Sequence, residues 1–139
     1  MDKIMPTNEE YIYDGRVVIS QTDLKGIITF ANKKFCEVSG YTIEELLGSA
    51  HNILRHPDIP KATFQQMWES ISQGQTWNGI VKNLRKNGQY YWMDTEIIPI
   101  YNHNQEISGY ISARRPASRK NIAENEALYK KMITKEKGN

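Results

Sequence analysis

Arg55, His56 and Asp58 stand almost side by side in a stretch stiffened by Pro57 and Pro60. A guanidinium is a planar fork of donors that fits a carboxylate or a phosphate, and a histidine can donate to the same oxygens. A carboxylate beside them can orient the arginine or accept from a hydroxyl. The trio therefore suits an anionic, oxygen-rich ligand. Spacing alone favours something plainer, an ion pair that pins the loop.

A second set of residues shares strand faces. Trp77, Gly79, Val81, Asn83 and Arg85 alternate and so line one side of a strand. Tyr91, Met93, Thr95 and Ile97 do the same on the next strand, as do Tyr110, Ser112 and Arg114 on the last. Asn83 offers a donor and an acceptor side by side. Trp77 can wall a pocket, with Gly79 leaving room beside it, and can equally be core. Phe64, Met67, Trp68 and Ile71 fall at i, i+3, i+4 and i+7, one face of a helix. Core packing accounts for Phe64 and Trp68 without a ligand. Asn32 is placed to cap a helix or to orient the rim of a pocket.

The rest of the composition narrows the chemistry. In 139 residues, 18 basic and 16 acidic side chains leave a net charge of +2, too balanced to indicate nucleic acid or an anionic membrane. One cysteine, Cys36, excludes an internal disulfide and any multi-thiolate metal site, and it reads as a buried small residue. No apolar run is long enough to cross a bilayer, so a cytoplasmic setting is expected, with any membrane association made through a partner. The chain lacks Gly-x-Gly-x-x-Gly and an evident acid–base pair, so a binding role is expected, not an enzymatic one.

The elements that must position these residues follow from pattern. Residues 1–15 are polar and read as a flexible or partner-dependent arm. Val17–Ser20 and Ile27–Phe30 form a hairpin around Asp23 and Gly26. A short helix from Ala31 ends at Gly40, and Thr42 with Glu45 makes a capping box that opens another. Residues 51–60 form a loop with at most one helical turn, because of their prolines. The Phe64 helix follows, then strands over 77–85, 90–101 and 107–115. This order predicts an α+β domain over 16–116, with helices inserted into a five-stranded antiparallel sheet. Residues 117–139 form a charged helix and tail with Ile122, Leu128, Tyr129, Met132 and Ile133 as its apolar stripe.

The element order, with Ile28-Thr29-Phe30-Ala31-Asn32-Lys33-Lys34-Phe35, Val38-Ser39-Gly40-Tyr41 and Glu45-Leu46-Leu47-Gly48, resembles the PAS superfamily. His51-Asn52-Ile53-Leu54-Arg55-His56-Pro57-Asp58-Ile59-Pro60 resembles the PAS domains of bacterial aerotaxis receptors more narrowly. So does the run from Trp77-Asn78-Gly79-Ile80-Val81-Lys82-Asn83 to Gly88, with Tyr91-Trp92. The likeness spans roughly residues 17–130 and implies the PAS fold, non-covalent FAD and redox reporting to a chemotaxis module.

From that resemblance the expected cofactor contacts are Arg55, His56 and Asp58 at the pyrophosphate and ribose, and Asn83 at the polar edge of the ring. Trp77 would wall the ring, Trp68 would border the adenine end, and Asn32, Tyr91 and Met93 would complete the surround. By comparison with blue-light-sensing PAS domains, Arg114 takes the place of a flavin-facing glutamine and would read flavin charge. No thiol stands in the 51–54 loop, which argues against a photoadduct. The implied protein is a stand-alone sensor that contacts a separate chemotaxis-type transducer and is compatible with a homodimer. A haem site built on His51, His56 or His103 and a cofactor-free scaffold are the competing readings.

Overall fold

The computed structural model describes residues 4–138. Strands β1 (Val18–Thr22) and β2 (Ile28–Ala31) pair antiparallel. The Asp23 carboxylate closes the turn between them by accepting from the amides of Lys25 (2.8 Å) and Ile27 (3.0 Å). Helix α1 (Lys33–Ser39) opens on Asn32, whose side chain accepts from the Phe35 amide at 2.9 Å. It closes at Gly40, at φ +80°, a left-handed conformation that favours glycine. Arg85 covers that end by donating to the carbonyls of Val38 (2.8 Å) and Glu37 (3.1 Å). Helix α2 (Ile43–Leu46) carries the expected capping box, with both the Thr42 and Glu45 bonds formed.

A single 3-10 turn (His51–Leu54) leads into α3 (Lys61–Ser72). Strands β3 (Trp77–Leu84), β4 (Tyr90–Tyr101) and β5 (Ile107–Pro116) follow as hairpins. The five strands form one antiparallel sheet in the order β2-β1-β5-β4-β3. Register then decides which side chains meet. Trp77, Ile97, Ser112 and Ser20 form one row across the inner face, and Gly79, Thr95, Arg114 and Val18 form the next. Strand alternation points these residues toward the helices, the geometry a pocket needs.

Two apolar clusters hold the layers together. The inner one packs Phe35, Val38, Leu46, Leu54 and Ile71 against Val18, Ile28, Val81, Tyr91 and Met93. The outer one joins Ile59, Ile80 and Trp92 to Ile122 and Tyr129 of α4 (Arg119–Lys137). The inward stripe of α4 is therefore Ile122 and Tyr129, with Met132 and Ile133 partly buried. Leu128, expected on that stripe, is 52% exposed.

The N-terminal segment, read from the sequence as a flexible or partner-dependent arm, lies along the sheet; its first three residues lie outside the described ones. From Thr7 onward it runs beside the start of β4, past the last pair between β4 and β5, Met93 with Pro116. The Thr7 amide donates to Gly88 O (2.9 Å), the Tyr90 amide to Glu9 O (3.0 Å) and the Tyr11 amide to Tyr90 O (2.7 Å). Open strand edge is an obligatory hydrogen-bonding surface, and the arm satisfies it. Tyr11 lies under the Arg85 guanidinium, 3.9 Å from its ring centre, and Tyr13 packs edge-on to Tyr91.

Candidate functional site

Between the inner sheet face, the 3-10 turn and α3 lies a cavity of about 350 Å³. That is within the range, roughly 300–1,000 Å³, of small-molecule sites. Trp68, Trp77, Val81, Ile97 and Tyr110 give it apolar walls, and Asn83, Thr95, Ser112, His51 and Arg114 give it polar ones. The six-membered ring of the Trp77 indole lies against Gly79. A Cβ built at that glycine would stand 2.2 Å from the ring, so only glycine permits this placement. Trp68 meets Tyr110 edge to face at 5.7 Å between ring centres.

Arg114 is the most unusual group in the cavity. It is 2% exposed, and no carboxylate pairs with it among the described residues. Its Nη1 lies 2.8 Å from His51 Nε2, its Nη2 donates to Ser20 Oγ at 2.7 Å, and the Phe35 ring centre lies 4.6 Å from its guanidinium carbon. A guanidinium can only donate, so His51 Nε2 must accept and the ring carries its proton on Nδ1. Desolvation and the neighbouring Arg114 charge hold the His51 pKa down to about 3, which keeps the imidazole neutral. Burial likewise lowers Arg114, to about 10, and it stays charged at neutral pH.

Two further polar atoms at this wall have no partner among the described residues: Thr95 Oγ1 and Arg114 Nε. Buried polar groups left this way are costly, and a polar ligand satisfies them. The amide orientation of Asn83 that satisfies both its ends turns the NH2 to the carbonyls of Leu54 (3.2 Å) and Lys82 (3.3 Å).

A second, more open cavity of about 570 Å³ adjoins the first and shares Asn52, Arg55 and Phe64 with it. Tyr41, His56, Pro57 and Lys61 line its other sides. The Arg55 guanidinium carbon lies over the Phe64 ring, 4.0 Å from its centre, and burial lowers its pKa while leaving it cationic. Tyr41 Oη is buried there without a partner.

The structure thus brings Arg55, Trp68, Trp77, Asn83 and Arg114 to one cavity, but it gives the other expected contacts different surroundings. Asp58 is 61% exposed and pairs with Lys82 at 2.8 Å, on the outer side of edge strand β3. His56 accepts the Asp58 amide at 3.0 Å and faces only the second cavity. Desolvation and Lys82 hold its pKa down to about 4. Asn32 is committed to backbone: besides its helix cap it accepts from Ile19 N (3.1 Å) and donates to Val17 O (3.0 Å). Tyr91 and Met93 share the inner face but lie behind Asn83, in the core.

Sequence reasoning missed His51 and Thr95 as polar lining, and Ser20 as the support of Arg114. Thr95 and Ser112 were visible as strand-face neighbours of Arg114. The aim of His51 was not, because a 3-10 turn has no fixed facing. Cys36 is partly buried outside the cavity, and burial raises its thiol pKa. His103 lies exposed in the last hairpin turn.

Comparison with known proteins agrees with this architecture. The PAS fold family model matches residues 28–114. The aerotaxis receptor of Escherichia coli (strain K12) is 49% identical over 117 residues, covering 84% of this chain and 23% of the receptor. The solved PAS domain of a Colwellia psychrerythraea protein is 31% identical with a TM-score of 0.63, covering 74% of this chain and 87% of that one. A light-oxygen-voltage domain studied with a flavin analogue superposes with a TM-score of 0.67 at 19% identity, covering 89% of this chain and 87% of that one. This chain thus spans less than a quarter of the aerotaxis receptor's length. Among the described residues, no helix is long and apolar enough to cross a membrane.

Proposed function

We infer that this chain, which belongs to the PAS fold family, is a flavin-binding sensor domain that holds FAD in the cavity beside Arg114 and reports redox state to a signalling partner. The observation that carries this reading is the buried, un-neutralised guanidinium of Arg114 on the wall of a largely apolar cavity. A buried cation without a counter-charge is costly, and it is explained when the occupant carries or acquires negative charge. Bound flavin supplies reversible electron transfer that changes the charge of its ring.

The residues present suit that group. Trp77, Val81 and Ile97 offer apolar surface to a planar ring, and Thr95, Asn83 and Ser112 offer polar groups at its edge. Arg55, between the two cavities, is placed for the phosphates of a dinucleotide, whose remaining half would enter the second cavity beside Tyr41 and Lys61. Adjoining cavities support FAD over a mononucleotide. His51 is a poor axial ligand for haem, because its Nε2 already accepts from Arg114.

Similarity to an aerotaxis receptor supports a redox or oxygen-linked role in energy taxis, with a chemotaxis-type transducer as the contact. On this reading residues 16–116 are the sensor and 117–139 its output helix. The state-dependent contact is made by Arg114, which binds the more negative form of an occupant better and so shifts the equilibrium between two states of the domain. Equilibrium titration with FAD and with riboflavin, followed by flavin fluorescence, tests the assignment. FAD should bind at least tenfold tighter, and Arg55→Leu should remove that preference. Equal, weak affinity for both would contradict it.

A further inference from the structure

We propose that Phe64 and Ile59 form a shared wall, beside the edge of β3, through which the cavity and helix α4 set each other's stability. This rests on the cavity being a ligand site, but its geometry is independent of which ligand enters. Phe64 lines both cavities, carries Arg55 on its ring and packs against both apolar clusters. Five residues earlier, Ile59 is 5% exposed in the cluster that seats Ile122 and Tyr129 of α4.

Polar contacts tie the same three parts together. Tyr129 donates to Ile80 O at 2.6 Å, fixing α4 on β3. The Glu136 carboxylate, near the end of α4, accepts from the Ala62 amide at 3.1 Å, in the first turn of α3. Proline at position 60 supplies no side-chain cap there, so α4 provides the acceptor that α3's own sequence lacks. Lys82 holds Asp58 of the same loop at 2.8 Å and lies over Tyr90 at 4.4 Å. The loop 55–60 and the start of α3 thus form one wall of the cavities on one side and the seat of α4 on the other.

The coupling has a definite sign. An occupant that presses on Phe64 and Arg55 fixes the loop and the first turn of α3, and so fixes the seat of α4. Releasing α4 frees that seat and loosens the wall. By linkage, any factor by which α4 docking tightens ligand is the factor by which ligand tightens α4.

Amide hydrogen exchange on the full chain tests this without a ligand. Tyr129→Ala should raise exchange at least tenfold in α4 and also in 57–64, while α2 and the β1–β2 hairpin keep their protection. Should Tyr129→Ala prove too unstable to keep that reference protection, Tyr129→Phe and Glu136→Ala remove only the two polar ties and should act on the same segments more weakly. Faster exchange confined to α4, with 57–64 unchanged, would overturn the proposal. A second arm adds FAD to the unmodified protein, where slowed exchange in both segments is expected. FAD that binds without slowing α4 overturns the coupling; FAD that does not bind overturns the flavin reading alone, and the variants still decide the coupling.

Discussion

Arg114 and His51 meet at 2.8 Å, with a neutral imidazole accepting from a guanidinium that no carboxylate of the described residues neutralises. Both belong to the cavity wall, on β5 and on the 3-10 turn, which are 63 residues apart in sequence. A fold selected only for stability would place an apolar side chain at position 114.

Replacement of that charge should separate stability from binding. In Arg114→Met, Ser20 Oγ and His51 Nε2, already 3.3 Å apart, can bond to each other. Ligand-free stability in urea should hold or rise, by about 1 kcal/mol or more, as is common when buried charge is replaced by apolar volume. Flavin affinity should fall at least tenfold. A loss of stability above about 2 kcal/mol would assign Arg114 a structural role instead.

Acid should weaken the fold through the histidine. The His51 pKa is near 3 in the folded chain against an ordinary 6.5, so between those values the unfolded chain binds a proton that the folded chain refuses. Stability therefore rises with pH across that window and falls on acidification, by up to about 1.4 kcal/mol per pH unit for one such group. His56, lowered to about 4, adds in the same direction over a narrower range. Urea midpoints of the parent and of His51→Gln between pH 6.5 and 4.5 check this. The variant should show the shallower slope, and parallel slopes would mean that His51 is not the group responsible.

Gly79 should control the size of the cavity. In Gly79→Ala the new methyl claims space held by the Trp77 ring, which must swing toward the cavity. The expected cost is about 1–3 kcal/mol of stability, as for other overpacked sites, with at least a tenfold loss of flavin affinity. Combining it with Trp77→Phe should restore part of both. Unchanged binding in Gly79→Ala would show that Trp77 does not border the ligand.

Asp58 should matter through Lys82 instead of through direct contact with a cofactor. Asp58→Asn keeps the shape but leaves the buried Lys82 ammonium without its anion, so a loss of roughly 1 kcal/mol is expected, moderated by the exposure of Asp58. Flavin affinity should fall no more than about threefold, the loop remaining in place. A hundredfold fall would return Asp58 to the ligand.

Much of this was legible from residues alone. The capping box at Thr42 and Glu45, the stop at Gly40 and the alternation in β3 to β5 each have a local cause, so they were readable from short windows. Arg114 facing inward was readable for the same reason. Loop 51–60 was not, because its direction is set by tertiary contacts: Arg55 on Phe64, Asp58 on Lys82 and Ile59 under α4. The course of the arm was not readable either, because the hydrogen bonds that lay it along β4 are backbone ones, which no side-chain pattern announces. The α4 stripe was drawn one residue too wide at Leu128, since hydrophobicity alone does not show which neighbouring residue a helix turns inward.

The central claim is that the cavity beside Arg114 holds a flavin, and the absorption spectrum of gently purified protein, before and after anaerobic reduction, tests it most directly. The account predicts the two-band flavin spectrum, retained through gel filtration and bleached by the reductant. A Soret band, or colourless protein that refuses added FAD, would contradict it.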